Sequence, residues 1–200
     1  MPLRRVIDRV MEHPWAYRLW QAPFADHKFA PVQRHLKERD VRRVLDVGCG
    51  PGTNASRFGS ADYVGLDIND EYLAMARARH KGQFVQADLA TADLSQLGTF
   101  DAILINSFLH HLPDDAVDNI LKRVSLLLEP GGRVHILELV LPDRVSLATL
   151  MARLDRGQHA RSIRDWRTRF ERHFEPSNLE QFMLGGFLWS MVYFQGRPRE

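Results

Sequence analysis

The stretch that decides the fold is residues 44–53, VLDVGCGPGT. A short apolar run with β-branched residues passes into a loop that has glycine at every second position, at Gly48, Gly50 and Gly52. Glycine tolerates positive φ and has no Cβ, so such a loop lets backbone N–H groups come close to a ligand. The pattern therefore predicts a buried strand that ends in a ligand-binding turn.

Strand-like and helix-like segments alternate on the C-terminal side of this loop. Short apolar runs predict further strands at residues 61–66, 84–87, 100–105 and 134–141. Apolar residues at helical spacing predict helices at residues 71–80 and 115–128, the second one bounded by Pro113 and by Pro130-Gly131-Gly132. Alternation of this kind indicates a parallel sheet with helices on both faces.

The last third of the chain departs from the alternation. Residues 142–176 are predicted to form a long helical connection. Two strands, at residues 179–184 and 188–194, flank Gly185-Gly186 as a tight antiparallel hairpin. The expected fold is thus α/β and doubly wound, a mostly parallel seven-stranded sheet that ends in an antiparallel hairpin.

Composition limits the organisation and the class of protein. The chain has 200 residues, of which 44% are hydrophobic and 26% charged, with a net charge of +2. We predict one domain over residues 1–200, divided into a helical cap (1–40), a ligand-binding core (41–141), a helical connection (142–176) and a terminal hairpin (177–200). No apolar run reaches the length of a membrane span, and the charge balance disfavours nucleic acid as a partner.

The redox state and the location follow from local features. Cys49 is the single cysteine, so an internal disulfide is excluded. Charged residues interrupt the first twenty positions, which disfavours a secretory signal. We expect a cytoplasmic protein.

Carboxylates follow three successive predicted strands. Asp46, Asp67 and Asp88 each lie where a strand ends, at the edge at which open α/β sheets bind ligands. A carboxylate at such a place accepts hydrogen bonds from ribose hydroxyls. Each aspartate alone would equally suit the cap of a turn or helix, but together with the glycine loop they favour a nucleotide-like ligand.

Residues 41–141 resemble the class I S-adenosylmethionine-dependent methyltransferases, in particular the small-molecule group related to the ubiquinone and menaquinone biosynthesis enzymes. The shared features are the Asp-x-Gly-x-Gly-x-Gly loop, the acidic residues after the second and third strands, and Leu-x-Pro-Gly-Gly at residues 128–132. The terminal hairpin is also characteristic of this Rossmann-like fold.

The resemblance implies S-adenosylmethionine as the cofactor and assigns roles to residues around it. The loop would hold the methionine part and the ribose through Asp46, Gly48, Cys49, Gly50 and Gly52. The base and the remaining groups would be contacted by Asp67 (ribose hydroxyls), Ile68 (adenine ring), Asp88 (adenine amino group), Leu89 (backbone beside the ring) and Asn106 (methionine end).

Two other interpretations remain open from the sequence. A nicotinamide dinucleotide site is disfavoured because its fingerprint places the third glycine one position later than Gly52 and has no counterpart of Pro51. A cofactor-binding scaffold that has lost catalysis would keep the same glycine loop. No metal is expected, since the carboxylates lie at cofactor positions and the histidines lack a ligand set.

Two adjacent imidazoles follow the fourth strand, in residues 106–114, NSFLHHLPD. A hydroxyl or amine acceptor must lose a proton during methyl transfer, and histidine is the side chain best suited to receive it near neutral pH. His110 is the preferred base and His111 the second candidate; the alternative is that the pair only binds backbone groups at the helix start.

Two further sets of residues have a functional and a packing interpretation. The aromatic residues of segment 13–30 would form a lid over the substrate or pack in the core: Trp15, Tyr17, Trp20, Phe24 and Phe29. The arginines of the connection would bind an anionic acceptor or an anionic lipid headgroup, or lie on a solvated helix face: Arg153, Arg156, Arg161, Arg164, Arg167, Arg169 and Arg172.

The sequence as a whole predicts methyl transfer from S-adenosylmethionine to a small molecule, at oxygen or carbon. The identity of the acceptor and the oligomeric state are not encoded in any residue that the sequence singles out.

Overall fold

The computed structural model describes residues 24–37, 40–143, 148–149, 152 and 159–199. The strands are β1 (Arg43–Val47), β2 (Asp62–Asp67), β3 (Gln83–Gln86), β4 (Phe100–Asn106), β5 (Leu128–Val140), β6 (Phe174–Leu184) and β7 (Trp189–Pro198). The helices are α1 (Ala25–Leu36), α2 (Asp70–Arg79), α3 (Asp114–Leu126) and α4 (Ile163–His173). Within the described residues, no helix is long and apolar enough to cross a membrane.

The strands form one seven-stranded sheet with the order β3-β2-β1-β4-β5-β7-β6. β1 to β5 run parallel, whereas β7 is antiparallel to both β5 and β6. The predicted fold class is confirmed. The antiparallel β7 also separates this sheet from the purely parallel 3-2-1-4-5-6 order of dinucleotide-binding domains.

Helices cover both faces of the sheet, as the alternation predicts. On one face α3 and α4 pack against the sheet, and Val117 and Phe170 belong to the same apolar cluster as Ile103 and Ile136. On the other face α1 packs on Leu104, which points away from its neighbour Ile103 because strand side chains alternate. Burial of apolar side chains on both faces holds the strand ends, and the loops after them, in fixed positions.

Two predicted boundaries are wrong in detail. The connection is predicted as helical to residue 176 but ends earlier, because β6 already begins at Phe174. This residue pairs with Pro198, near the end of the long strand β7. β5 begins at Leu128, where a strand was predicted from residue 134 only. The Pro-Gly-Gly of residues 130–132 lies inside β5, at a shift in its pairing with β4.

The predicted N-terminal cap is described only in part. Residues 1–23, with Trp15, Tyr17 and Trp20, lie outside the described residues. Phe29 is 1% exposed and packs on the sheet, so this aromatic residue belongs to the core and not to a lid.

Phe170 offers a test of the α4 face of the core. Its ring is fully buried and lies 5.3 Å from Trp166 and 5.0 Å from Phe194, centroid to centroid. Phe170→Ala should lower the free energy of unfolding by about 3–5 kcal/mol, the usual cost of such a cavity. Chemical denaturation measures it, with Leu126→Ala at an exposed position as the control; equal effects of the two would contradict this packing.

Candidate active site

The glycine loop turns back on the end of β2 and is hydrogen-bonded to it. The N–H groups of Gly48 and Cys49 both donate to the carbonyl of Leu66, at 2.8 and 3.0 Å, and so attach the loop to the end of β2. Gly48 has φ +69°, and a Cβ at this position would lie 2.9 Å from the ring of Phe108. Gly50 has φ +53°, and a Cβ at this position would meet no atom within 4 Å, so open space adjoins the loop there. The loop therefore packs tightly on one side and is open on the other.

Asp67 lies directly beside this open part of the loop. One carboxylate oxygen, Oδ2, accepts the N–H of Gly50 at 2.8 Å, and Oδ1 accepts the N–H of Asn69 at 2.8 Å. The next residue, Ile68, is 67% exposed. The structure thus places the carboxylate and the apolar side chain that the resemblance assigns to ribose and adenine at the rim of the loop.

Asp46 is buried beneath the loop. Its Oδ2 accepts hydrogen bonds from the Tyr63 hydroxyl at 2.6 Å and from the Asn54 amide at 3.2 Å. Oδ1 is equally buried and has no partner among the described residues. Burial outweighs these two hydrogen bonds and raises the pKa of Asp46 to about 7. Because this pKa is close to neutral pH, a cation near the carboxyl group would favour its ionised form.

Asp88, Leu89 and Cys49 have mainly local roles in this structure. Asp88 is exposed and caps its own loop, accepting from the Ala90 N–H at 2.9 Å and the Thr91 hydroxyl at 3.2 Å. Leu89 is buried in the core. Cys49 is also buried, and burial raises the pKa of its thiol. The capping interpretation of the sequence therefore describes the contacts that Asp88 makes here.

The end of β4 carries an unsatisfied amide and a strained residue. The Oδ1 atom of Asn106 is buried without a partner among the described residues. Ser107 has φ +57°, a region that costs a non-glycine residue of order 1–3 kcal/mol, and its N–H donates to the Leu137 carbonyl at 2.7 Å. Strain of this kind concentrates at ligand-binding sites, which supports a ligand position beside Asn106.

His110 is held by a buried carboxylate. Its side chain is 3% exposed, and Nδ1 lies 2.7 Å from Oε2 of Glu138, which is fully buried in β5. Oε1 of Glu138 accepts the N–H groups of Phe108 at 3.0 Å and Leu109 at 2.8 Å. The next ring along the chain, His111, is exposed and lies 4.2 Å from the His110 ring between centroids.

The charge of Glu138 fixes the tautomer of His110. Burial alone would raise the pKa of Glu138, but the positive charge and hydrogen bond of a protonated His110, the Leu109 N–H and the charge of Lys28 together hold this pKa below its ordinary value. Glu138 is therefore a carboxylate that can only accept hydrogen bonds. The proton of a neutral His110 must then sit on Nδ1, which leaves the lone pair on Nε2.

Glu138 is the site residue that the sequence reading missed. The signal was present, because a glutamate interrupts the apolar run of β5, and a buried charge requires a partner. Tyr63 and Asn54, which hold Asp46, carry no comparable signal.

Four described arginines of the connection have carboxylate partners: Arg161, Arg167, Arg169 and Arg172. Arg161 and Arg169 both bind Asp114, and Arg169 and Arg172 both contact Asp118. Arg161 is 6% exposed, so it does not lie on a solvated face. Arg153 and Arg156 lie outside the described residues.

The raised pKa of Asp46 predicts a pH-dependent effect on stability. An acid whose pKa is higher in the folded than in the unfolded state destabilises the fold as pH rises through the interval between the two values. Asp46→Asn should therefore gain stability over the unmodified protein between about pH 4 and pH 7, by up to about 4 kcal/mol at about 1.4 kcal/mol per pKa unit. Denaturation at a series of pH values measures this difference; a difference that does not change with pH would contradict the buried, proton-binding state.

Comparison with known proteins relates part of this chain to methyltransferases. Residues 44–132 match a family model described as a methyltransferase domain. The chain is 38% identical over 134 residues to trans-aconitate 2-methyltransferase of Methylobacterium radiotolerans. This alignment covers 63% of this chain and 49% of that protein. It is 34% identical over 131 residues to ubiquinone biosynthesis O-methyltransferase of Xanthomonas oryzae, covering 58% and 54%. The chain thus spans about half the length of these curated relatives.

A solved structure has the same fold over nearly the whole chain. The N-methyltransferase NodS of Bradyrhizobium japonicum, solved in complex with S-adenosylhomocysteine, superposes with a TM-score of 0.77 at 16% identity and covers 98% of both chains. The sheet order with its antiparallel seventh strand and this superposition show the class I methyltransferase fold, and residues 44–132 match a methyltransferase domain.

Proposed function

We propose that this protein transfers a methyl group from S-adenosylmethionine to an oxygen atom of a small molecule. The observation that carries the proposal is the meeting, at one edge of the sheet, of an open glycine loop and an imidazole oriented by an ionised glutamate. Of the two curated relatives described above, one is named for methylation of trans-aconitate, a small molecule, and the other is named an O-methyltransferase of ubiquinone biosynthesis. Methylation at carbon is the outcome that the tests below separate from it.

The residues of the loop fit S-adenosylmethionine. Asp46 Oδ1 and Asn106 Oδ1 are buried acceptors without partners among the described residues, and the ammonium and sulfonium of this molecule are cations. The open space at Gly50 leaves room for a ligand beside the loop, and Asp67 offers its carboxylate at the rim. A bound cation would also lower the pKa of Asp46 and favour its ionised form.

His110 is the group that would take the proton of a hydroxyl acceptor. When bound, S-adenosylmethionine supplies an electrophilic methyl carbon, and displacement at that carbon depends mainly on alignment in a dry pocket. His110 Nε2 carries the lone pair, and Glu138 stabilises the imidazolium that forms when this nitrogen is protonated. His110 thus has the base and orienting partner that general-base catalysis requires.

The activity is tested with purified protein, methyl-labelled S-adenosylmethionine and three acceptor preparations: trans-aconitate, catechol and a small-molecule metabolite extract. We expect label to appear in an acceptor together with an equal amount of S-adenosylhomocysteine. If the protein binds S-adenosylhomocysteine but labels none of these, it is a cofactor-binding scaffold. If the product carries the label on carbon, the proposal for oxygen is wrong.

The role of Asp67 predicts a loss of cofactor affinity. Asp67→Ala should weaken binding of S-adenosylhomocysteine by about 1.5–3 kcal/mol, the range for hydrogen bonds to a charged group. Isothermal titration calorimetry measures this loss. Asp62→Ala, at the other end of β2, is the matched control; equal affinities in the two folded variants would remove Asp67 from the cofactor site.

The role of His110 predicts a loss of turnover that depends on pH. His110→Ala should reduce kcat about 10²- to 10⁴-fold with nearly unchanged affinity for S-adenosylhomocysteine, and His111→Ala should reduce it much less. In the unmodified protein the rate should fall on acidification, because protonated His110 cannot accept a proton. Equal small losses in both variants, with a flat profile between about pH 6 and 8, would leave the pair with a structural role only.

A further inference from the structure

Arg161 is an arginine whose side chain is buried against the loop that carries His110. Its Nη1 donates to the carbonyl of Leu109 at 3.3 Å, and its Nη2 donates to the carbonyl of Leu112 at 2.8 Å. Nε and Nη2 both reach Oδ1 of Asp114, at 2.9 and 2.7 Å. The guanidinium thus spans both ends of the turn at residues 109–112 and the first residue of α3.

Arg161 is itself held rigidly at the end of the connection between β5 and α4. Its carbonyl accepts the N–H of Leu141 at 2.8 Å, and it forms a parallel bridge with Val140. Its guanidinium lies 4.8 Å over the ring of Trp166, which is fully buried. One residue therefore ties the end of the connection to the loop that carries His110.

Arg161 and Glu138 hold this loop from two sides. Glu138 accepts the N–H groups of Phe108 and Leu109, whereas Arg161 donates to the carbonyls of Leu109 and Leu112. A third contact comes from the same side as Arg161, since the N–H of His159 donates to the carbonyl of His110 at 3.2 Å. The N–H groups of the backbone that carries the imidazole are therefore bound by the sheet, and its carbonyl groups are bound by the connection.

We propose that Arg161 is a positioning residue for methyl transfer, which fixes the backbone of residues 109–112 and so sets the position of the His110 imidazole. The inference rests on the proposed function. A planar guanidinium makes these four hydrogen bonds with donors in a fixed fork, whereas an ammonium has three donors on a flexible stem and cannot make all four in this geometry. Misplacement of a reacting group by about 1 Å is enough to lower a rate by about 10²-fold.

The chain offers a matched control for this role. Arg169 is also largely buried and also binds Asp114, but it reaches Oδ2 of that carboxylate and Asp118, and none of the carbonyls of residues 109–112 in its described contacts. Arg169→Lys therefore disturbs the same carboxylate without releasing the turn at residues 109–112.

The test compares Arg161→Lys with Arg169→Lys in the full chain by two measurements. The first is amide hydrogen exchange of a peptide covering residues 107–113, with S-adenosylhomocysteine bound, which needs no activity. The second is a set of constants: kcat, KM and the affinity for S-adenosylhomocysteine. The acceptor in these assays is the one that the unmodified protein methylates, whether trans-aconitate, catechol or a component of the extract. We expect faster exchange and a kcat lowered about tenfold or more in Arg161→Lys, cofactor affinity within about twofold, and little change in Arg169→Lys.

Each result decides the proposal. Unchanged exchange in Arg161→Lys overturns the fixing of the turn, and faster exchange with unchanged kcat overturns the positioning role. Equal loss of kcat in both variants shows a general effect on stability and also overturns it. If Arg161→Lys does not fold, Asp114→Asn removes the anchor of the guanidinium and is expected to change exchange and kcat in the same direction. Absence of methyl transfer by the unmodified protein overturns the proposed function, a result distinct from all of these.

Discussion

The rest of the site depends on one buried charge, the carboxylate of Glu138. A charge without water is costly unless it is paired and hydrogen-bonded, and Glu138 meets this requirement with His110 and with the N–H groups of Phe108 and Leu109. These partners lie in the segment after β4, 28 to 30 residues away in sequence. Satisfying the charge therefore also determines where this segment runs and which way the imidazole faces.

The same segment fixes the glycine loop. Phe108, whose N–H donates to Glu138, places its ring where a Cβ at Gly48 would stand. The absence of a side chain at Gly48 is thus needed for packing against Phe108, while the open space at Gly50 is available to a ligand. The loop expected to hold the cofactor and the loop that carries His110 are therefore in direct contact, so a change in either one should be felt by the other.

Local patterns in the sequence predicted the fold and the neighbourhood of the site, but not the contacts between distant segments. Glycine spacing, strand runs and the Gly185-Gly186 turn are local signals, and the structure confirms the seven-stranded sheet and its hairpin. Glu138 and Arg161 act through partners 28 and 47 residues away, which no local period reports. The boundary of β6 was missed for the same reason, because its first residue forms a strand only by pairing with Pro198.

The two buried carboxylates of the site, Asp46 and Glu138, differ in the charge that surrounds them. Glu138 has backbone donors, His110 and the positive charge of Lys28, which together outweigh burial and keep it ionised. Asp46 has only the neutral donors Tyr63 and Asn54, and the charge of Asp67 adds to the effect of burial, so its pKa rises. Glu138 is thus held in its ionised form, whereas Asp46, with a pKa of about 7, is only partly ionised near neutral pH. A site built in this way would bind a cationic ligand more tightly as pH rises through about 7, because the proton on Asp46 competes with that ligand.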